Sequence, residues 1–429
     1  MGLAIGDALG QATKGLKPEA IKQLYKRMDK FQDVRPFIGK GVKTYRMKGL
    51  YGCQMQMGLA LGESLIRNKG LDEAAFGELL VRMSLAGPEG YFGVFRRPEG
   101  VFARSVMEFT NRMDPTEADW NTSFGSFFPL GVATALFYGR DSATFKEAVT
   151  RVGTMMSSHP WEISATAVSG FIALALCRKN VKESVSVLND AKTLLEESAS
   201  WVEQVEQTCS VLEKESGPVD ALSKTLTEMA KRVESSSAEE LQDWILENAN
   251  QYLKQPLRYT TQGQALVLLP QALLQVLRSP DSFDGVMERT GSMGREAVKL
   301  CALTGAFAGA LFGANAIGQE FMAGLVNVKE IKSRGEALTR RRFSGKGKDL
   351  VDMEMGLTRK EAEENRKYVP KTPRKPATDQ PVSKHQLFEE MGVEWEHDPL
   401  MEIRDNPRLR REFEREKSKK KKERRQRLK

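Results

Sequence analysis

The chain has 429 residues, which allows one large domain with an appendage or two to three domains. Its four scattered cysteines argue against a disulfide framework and a zinc ribbon, and its three histidines argue against a histidine-based active site. The net charge of +8 is uneven, because residues 331–429 hold 29 Lys and Arg against 19 Asp and Glu, whereas residues 1–330 hold 36 against 38. This distribution predicts a nearly neutral body with a basic C-terminal segment and excludes a uniformly basic fold.

The body, residues 1–328, is predicted to be all-α. Apolar side chains recur at helical spacing in many segments, and no run of useful length alternates with the period of a strand. The sequence TGAFAGALFGANAIG, from Thr304 to Gly318, is dominated by small residues and predicts a thin helix that its neighbours approach closely. No window of 18 uninterrupted apolar residues occurs, so we predict no membrane-spanning helix.

Two regions depart from this pattern. Residues 179–255 form a long, charged stretch with helical periodicity, which is predicted either to cover the core or to bind a partner. After residue 328 the small-residue pattern stops, and residues 329–429 are predicted to form an extended, basic C-terminal extension. The expected organisation is therefore a helical domain over residues 1–328 followed by this extension.

The end of the extension is strongly basic. Residues 404–429 contain 14 basic and 5 acidic residues and few aromatic ones. Such a segment neutralises phosphates and releases counterions, and the shortage of stacking side chains favours contact with the backbone of structured RNA over the reading of bases. Alternatives are a nuclear or nucleolar import signal, a solvated tail without a partner, and contact with an acidic protein. The predicted RNA-binding residues are Arg408, Arg410, Arg411, Arg415, Lys419, Lys420, Lys421, Lys422, Arg424, Arg425 and Arg427.

Three stretches of the body together resemble one enzyme family. They are GLAIGDALGQATKG from Gly2 to Gly15, YGCQMQMGLALGESLI from Tyr51 to Ile66, and GREAVKLCALTGAFAGALFG from Gly294 to Gly313. In this order and spacing they resemble the motifs of the ADP-ribosylglycohydrolase family, all-helical enzymes that remove ADP-ribose from proteins. The resemblance covers about residues 2–325 and implies a multi-helix, all-α body. The basic extension has no counterpart in it.

The resemblance also locates the positions at which the family binds two magnesium ions, through a Thr-Asp-Asp motif and an Asp-x-Asp-Thr motif. Only one of the corresponding residues in this chain has a carboxylate, and two are lysines. Magnesium requires oxygen ligands, so these departures predict that the chain binds no metal, uses no cofactor and is a pseudoenzyme. The degenerate positions are Gly52, Cys53 and Gln54 for the first motif, Glu296, Val298 and Lys299 for the second, and Lys14, where many members have a glutamate.

One hypothesis concerns the two lysines. Lys14 and Lys299 are expected to replace the missing cations and to neutralise the remaining carboxylates of Asp7 and Glu296, because an opposite charge within about 4–6 Å favours the ionised form of its partner. The alternative is that both lysines are exposed to solvent. Asp7 also has a purely structural interpretation, as the cap of a helix start.

A vestigial ligand pocket that binds ADP-ribose without cleaving it is a further possibility that the resemblance suggests. Its candidate residues are Asp7, Asn121 and His159. A lone histidine before a proline at a helix start is more often a satisfied turn residue, and this is the competing interpretation of His159.

Taken together, these features predict a catalytically inactive member of the family that serves as a structural, RNA-contacting subunit of a ribonucleoprotein. Ordered basic extensions that pass through RNA are typical of ribosomal subunits, so a ribosome is expected, with rRNA and neighbouring proteins as partners. We expect an intracellular protein, of the mitochondrion or otherwise of the cytoplasm or nucleolus, since MGLAIGDALG at the start lacks the features of a secretory leader. The alternatives are a divergent hydrolase and an ADP-ribose-binding module that does not cleave.

Overall fold

The structure, a computed structural model, describes residues 1–39, 42, 44–110, 125–139, 142–178, 190–209, 218–278, 282–343 and 348–368. These residues contain 17 α-helices and no strand, so the prediction of an all-α fold is confirmed. The first eight helices are α1 (Gly2–Thr13), α2 (Pro18–Tyr25), α3 (Cys53–Asn68), α4 (Glu73–Leu85), α5 (Gly100–Thr110), α6 (Phe128–Tyr138), α7 (Ser142–Met156) and α8 (Pro160–Arg178). The other nine are α9 (Ala191–Thr208), α10 (Ala221–Arg232), α11 (Ala238–Asn250), α12 (Ala265–Leu277), α13 (Phe283–Ser292), α14 (Val298–Phe312), α15 (Gln319–Gly324), α16 (Val328–Arg340) and α17 (Leu350–Asn365).

The centre of the fold is α14, which packs against α1, α8, α12 and α13. Its contact with α1 is close enough to require glycine on both helices. A Cβ added to Gly6 would lie 1.9 Å from the carbonyl oxygen of Cys301, and one added to Gly305 would lie 2.3 Å from the carbonyl oxygen of Gly2. The small residues of the first and third motifs thus bring two helix backbones into direct contact.

Helix α8 is long and apolar enough, by length and composition, to cross a membrane, but 78% of its apolar window is buried within the fold. It packs against α6, α7, α9 and α14. Its polar residues, such as Glu162 and Thr166, are buried as well. The apolar character of this helix is therefore explained by its place in the core.

The described parts of the charged stretch 179–255 are amphipathic helices that cover the core. Helix α9 packs on α8 and on α10, and the ring of Trp201 stacks on those of Phe145 and Phe171 at centroid distances of 5.6 and 5.0 Å. The apolar face of α10 is buried against α9 and α12. These contacts account for the apolar stripe of this stretch, while residues 179–189 and 210–217 lie outside the described residues.

A buried glutamate in α9 contacts the start of α10. The backbone N–H of Ser223, in the first turn of α10, donates to Oε1 of Glu206 at 3.1 Å, whereas Oε2 has no hydrogen-bond partner among the described residues. Burial, assisted by the nearby charge of Asp220, raises the pKa of Glu206 to about 7.

We expect this glutamate to destabilise the protein as pH rises. The folded state binds the proton of Glu206 more tightly than the unfolded chain does. The stabilisation that this proton provides is therefore complete below pH ~4.3 and is lost as pH approaches 7, when the free energy of unfolding falls by up to ~1.4 kcal/mol per pH unit. Chemical denaturation at pH 5 and pH 8 should therefore show a smaller loss of stability for Glu206→Gln than for the wild type. Glu203→Gln, at an exposed position of the same helix, is the control; parallel pH profiles of Glu206→Gln and wild type would contradict the prediction.

Helices continue beyond residue 328, where the sequence predicted that an extended segment begins. Helix α16 packs against α3 and α6, and α17 packs against α3. On α17, Glu354, Thr358 and Glu361 are buried. The first part of the predicted extension thus belongs to the helical body, because polar side chains of α17 have buried partners that periodicity does not reveal.

The remaining sequence predictions for the C-terminal part concern residues 369–429, which lie outside the described residues. All of the predicted RNA-binding residues, from Arg408 to Arg427, fall in this range. They stay predictions from composition alone.

Candidate functional site

Lys299, at one of the degenerate metal positions, is a buried ammonium. It is the second residue of α14, and its side chain is 0% exposed. Its Nζ donates to Oε2 of Glu99 at 3.2 Å and to the carbonyl oxygen of Gly263 at 2.9 Å. Glu99 directly precedes α5, so this buried ion pair joins the starts of α5 and α14. The charge of the ammonium is balanced inside the fold.

Glu99 also receives hydrogen bonds from two other parts of the chain. Nε2 of Gln54, in the first turn of α3, donates to Oε1 of Glu99 at 2.9 Å. The hydroxyl of Ser126, just before α6, donates to Oε2. We call Lys299, Glu99, Gln54 and Ser126 the Lys299 cluster. It connects the N-terminal ends of four helices through one carboxylate.

Next to this cluster, the carboxylate of Glu162 caps the start of α6. Its Oε1 accepts from the backbone N–H groups of Ser126 and Phe127 at 2.6 and 3.0 Å, and its Oε2 accepts from that of Gly125 at 2.7 Å. Burial raises the pKa of Glu162, while these bonds and the charge of Lys299 act in the opposite direction. A carboxylate at a helix N-terminus is stabilised by the unpaired N–H groups and the helix dipole.

Asp7 has a similar role at the start of α3. It lies within α1 and is buried, and its Oδ2 accepts from the backbone N–H of Met55 at 2.9 Å, while its Oδ1 accepts from Nε2 of Gln11 at 2.8 Å. Burial raises the pKa of Asp7, and these hydrogen bonds and the charge of Arg97 partly offset the effect. Asp7 therefore does cap a helix, but the helix is α3 and not its own α1.

A chain of polar contacts links Asp7 to α17. Oε1 of Gln11 accepts from Nε of Arg97 at 2.8 Å, and Nη1 of Arg97 donates to Oε2 of Glu361 at 2.8 Å. Arg97 has a φ of +51°, a conformation that an arginine rarely adopts. The helix that the sequence placed in the extension thus supplies a carboxylate that positions an arginine beside the site.

The other degenerate positions lie at the starts of the same helices. Gly52 is the N-cap of α3, and a Cβ there would lie 2.5 Å from Nε2 of Gln11, so Gln11 fills the space of a side chain. Cys53 is buried, and burial together with nearby carboxylates raises the pKa of its thiol well above the usual range. Val298 is the first residue of α14, and Glu296, which precedes it, is half-buried. Lys14 follows α1, where its backbone forms a bridge with that of Arg295.

The hypothesis that lysines replace the missing cations thus has a geometric basis for Lys299. Its ammonium is buried and bonded to a carboxylate, which excludes the alternative of a solvent-exposed side chain. The carboxylate that accepts its hydrogen bond is Glu99, which the sequence reasoning did not name, in place of Asp7 or Glu296. Lys14 is half-buried beside Arg295 and serves the local backbone, since its carbonyl oxygen accepts from Nη1 of Arg46 at 3.3 Å.

These residues do not fit a pair of magnesium ions. Both oxygens of Asp7, Glu99 and Glu162 already accept hydrogen bonds from protein donors. Cys53 is a soft ligand, burial raises the pKa of its thiol, and the positive charge of Lys299 beside Glu99 would repel a dication there. Within the described ranges, no group of three or more His, Cys, Asp and Glu side chains is arranged to hold a metal ion.

His159 has a structural role at the start of α8. It is 3% exposed, its Nδ1 accepts from the backbone N–H of Trp161 at 3.3 Å, and the Ser157 hydroxyl accepts from its own N–H at 3.0 Å. Burial lowers its pKa to about 4, so the imidazole is neutral at physiological pH. These contacts favour the turn interpretation over a ligand-binding role. Asn121, the third candidate of the vestigial pocket, lies outside the described residues.

Sequence reasoning missed Glu99, Glu162, Ser126 and Gly263. For Glu162 a signal existed, because a lone carboxylate in the apolar stretch PWEISATAV must find buried hydrogen-bond donors. Glu99 carries no comparable signal, since the surrounding FRRPEGVF resembles an exposed turn. Its role depends on Lys299, 200 residues later in the chain.

Comparisons with known proteins identify the family and the fold. The family model described as ADP-ribosylglycohydrolase matches residues 1–348. A solved structure described as an "ADP-ribosylglycohydrolase-related protein complex" is similar with a TM-score of 0.56 and 18% sequence identity, over 79% of this chain and 95% of that chain, which shows a common fold. No curated protein matches the chain. Since the family model spans most of the sequence, the chain belongs to the ADP-ribosylglycohydrolase family.

Proposed function

We propose that this protein is a catalytically inactive member of its family that serves as a structural, RNA-binding subunit of a ribonucleoprotein, with a ribosome as the expected assembly. The observation that carries the first part is the buried ammonium of Lys299, bonded to Glu99 at 3.2 Å. The second part depends on the composition of residues 404–429, which contain 14 basic and 5 acidic residues.

The charges around Lys299 disfavour magnesium-dependent hydrolysis. A magnesium-dependent site needs several carboxylate oxygens close together and a local potential that attracts cations. In this protein one ammonium already balances the carboxylate of Glu99, and the carboxylate of Glu162 is held by backbone N–H groups. A dication beside Lys299 would meet repulsion in a region without solvent screening. The Lys299 cluster therefore performs the structural part of the metals' role, the neutralisation of buried carboxylates, and none of the chemistry.

We expect magnesium to leave the thermal stability of the protein unchanged. A ligand that binds only the folded state at 100 times its Kd stabilises it by ~2.7 kcal/mol, which a melting curve detects easily. Melting curves with and without millimolar Mg²⁺ should coincide, and incubation with an ADP-ribosylated protein should release no ADP-ribose. An active member of the family, assayed in parallel, is the control. Magnesium-dependent release of ADP-ribose would favour the divergent hydrolase instead.

The separation of charge along the chain favours RNA as the partner of the C-terminal segment. Residues 1–330 are nearly neutral, and the excess of positive charge lies C-terminal to them, most densely in KSKKKKERRQRLK from Lys417 to Lys429. A short, dense run of Lys and Arg with one glutamate fits a polyphosphate backbone, whose binding is driven by counterion release. Because no aromatic residue interrupts this run, we propose binding to structured RNA without base specificity.

We expect the affinity for a structured RNA to fall steeply with salt and to depend on residues 404–429. The logarithm of the binding constant should decrease by ~0.7–0.9 per phosphate contacted for each tenfold increase in salt. Fluorescence anisotropy over a salt series measures this slope for the full chain and for a chain that ends at Ile403. A variant with the order of residues 404–429 scrambled is the matched control and should bind as the wild type does. RNA binding that persists unchanged after truncation would assign it to the helical body.

A second measurement addresses the assembly itself. Protein purified from its native source at low salt should carry rRNA and ribosomal proteins with it, and high salt should release them. Recovery of the protein free of RNA under low-salt conditions would contradict the proposal.

A further inference from the structure

A stretch of the body between α1 and α3 carries a local excess of positive charge. Residues 14–48, which include α2, contain 11 Lys and Arg against 3 Asp and Glu, whereas the rest of residues 1–330 contains 25 against 35. The two parts cancel in the total charge of the body, so its near neutrality conceals a basic stretch and an acidic remainder. A basic stretch within a folded body offers a polyanion a surface that is distinct from residues 404–429.

Helix α2 is packed against the body, so the charges around it have defined positions. Ile21, on its inner side, is 2% exposed, and a Cβ added to Gly294 would lie 2.4 Å from Cδ1 of Ile21. The hydroxyl of Tyr25 donates to the carbonyl oxygen of Ala12 at 3.3 Å, and its ring meets that of Phe37 edge to face at a centroid distance of 5.2 Å. These contacts turn the opposite side of α2 toward solvent.

The solvent side of α2 and the loop after it present ammonium groups without counter-charges. Lys22 and Lys26 lie four residues apart, and both are exposed. The guanidinium of Arg27, in contrast, is paired with Glu288 at 2.8 Å. The carboxylate of Glu19, in the first turn of α2, offsets one of these charges. Around α2, the exposed lysines that form no ion pair within the described ranges are Lys17, Lys22, Lys26 and Lys30, which we call the α2 lysines.

The same stretch contacts the end of α17, where the described part of the chain ends. The ring of Tyr45 stacks on that of Tyr368 at a centroid distance of 5.6 Å, and the backbone N–H of Tyr45 donates to Oδ1 of Asn365 at 3.2 Å. Arg366, next to Asn365, adds an exposed cation. The basic extension continues from Tyr368, so it is attached to the body beside the basic stretch.

The chemistry of this surface favours a phosphate backbone over an acidic protein. Protein–protein interfaces are centred on apolar and aromatic side chains and are poor in lysine. The large hydrophobic side chains that are exposed in the described part of the chain are Leu85, Leu136 and Tyr259, none of which belongs to residues 14–48. The α2 lysines are instead strongly hydrated point charges, which contact phosphates and gain free energy from counterion release.

We propose that the α2 lysines bind the phosphate backbone of the same RNA as residues 404–429, as a second contact that is made by the helical body. The identity of the partner as RNA rests on the proposed function. Because the rest of the body is acidic, it repels a polyanion, and the α2 side is turned toward the RNA. When one of two contacts in a chain is bound, the other meets a high effective concentration of RNA. The α2 lysines thus orient the body on the RNA.

Two matched sets of substitutions separate the α2 lysines from positive charge in general. Each set replaces one lysine in a helix, one with a positive φ and one outside the helices. All six side chains are exposed, so neither set is expected to unfold the protein. The α2 set is Lys22→Gln/Lys26→Gln/Lys30→Gln. The control set, from other parts of the body, is Lys192→Gln/Lys69→Gln/Lys348→Gln.

Both sets are measured in a full-length background whose extension is neutralised, so that the body is the main binder. In this background the 11 predicted RNA-binding residues from Arg408 to Arg427 are replaced by glutamine, which leaves 3 basic against 5 acidic residues in the range 404–429. Fluorescence anisotropy with a double-helical RNA hairpin over a salt series gives the affinity and its salt dependence.

We expect the background protein to bind the hairpin in a salt-dependent way and the α2 set to weaken this binding at low salt by at least ~10-fold. The slope of log affinity against log salt should become shallower by about 2, at ~0.7–0.9 for each lysine that contacts a phosphate. The control set should bind as the background protein does.

The outcomes distinguish this surface from the proposed function. If the wild type binds the hairpin and the background protein does not, the α2 lysines are not an RNA contact, while the proposed function stands. If the wild type does not bind either, both are wrong. Equal binding by the α2 set and the control set would place the RNA contact of the body elsewhere and overturn the inference. Poly-glutamate that competes as strongly as RNA at equal charge would assign the surface to an acidic protein and overturn it as well.

Discussion

Replacing Lys299 with methionine is expected to lower the free energy of unfolding by about 3–5 kcal/mol, because it removes the ammonium that is paired with the buried carboxylate of Glu99. The side chains are similar in length, so the effect reports mainly the lost charge and the lost hydrogen bond to Gly263. Urea denaturation followed by circular dichroism measures the difference. The expected loss of unfolding free energy is large because both side chains are buried: that of Lys299 is 0% exposed and that of Glu99 is 9% exposed.

The double variant Lys299→Met/Glu99→Gln separates charge from packing. Removing both charges should recover much of the loss, because a buried pair replaced as a whole is often neutral or stabilising. Lys360→Met, at an exposed position of α17, is the control and should change stability by less than ~0.5 kcal/mol. If Lys299→Met is as stable as the wild type, the ammonium does not neutralise the site, and the argument against metal binding loses its basis.

Replacing Glu354 with alanine should have an effect of similar size, about 3–5 kcal/mol, and it should detach α17 from the body. The carboxylate of Glu354 accepts from Nη2 of Arg96 at 2.7 Å, from the hydroxyl of Tyr51 at 2.6 Å and from Nε2 of Gln56 at 2.8 Å. Both members of the Arg96–Glu354 ion pair are 0% exposed. Without the carboxylate, the guanidinium is buried and unpaired, which costs far more than a lost surface contact.

Hydrogen exchange gives a local readout for this second variant. Amides of α17, from Leu350 to Asn365, should exchange faster in Glu354→Ala, since the buried carboxylate of Glu354 joins this helix to Arg96, Tyr51 and Gln56. Glu363→Ala, at an exposed position of the same helix, should leave exchange and stability unchanged. Equal exchange rates in both variants would show that the ion pair does not hold the helix.

Periodicity and motif spacing were sufficient for the class of fold and for the prediction that neighbouring helices approach the Ala/Gly segment closely. The GDALG segment and the late Ala/Gly segment became α1 and α14, in contact through Gly6 and Gly305. Both segments are rich in small residues, which the sequence shows directly. Small residues allow close approach of two helix backbones, whichever helix is the neighbour.

The boundary of the helical body illustrates where this reasoning fails. Helices α16 and α17 are rich in charged residues, and the end of the small-residue pattern after residue 328 suggested an extension beginning at residue 329. Composition does not distinguish an exposed glutamate from Glu354, whose partner Arg96 is 258 residues away in the chain. A buried charge is recognised only from its partner, and the partner is set by the fold.

The sequence by itself determined that the chain is helical and that it belongs to its family, because both follow from residue identity and local spacing. That the family's carboxylates are missing at Cys53, Gln54 and Val298 stays a prediction from the resemblance. Only the tertiary structure decided which groups pair in the altered site: Lys299 with Glu99, Glu162 with the start of α6, and Asp7 with the start of α3. The physical reason is that the cost of burying a charge is met by groups close in space, and helix packing brings together residues that are far apart in the chain.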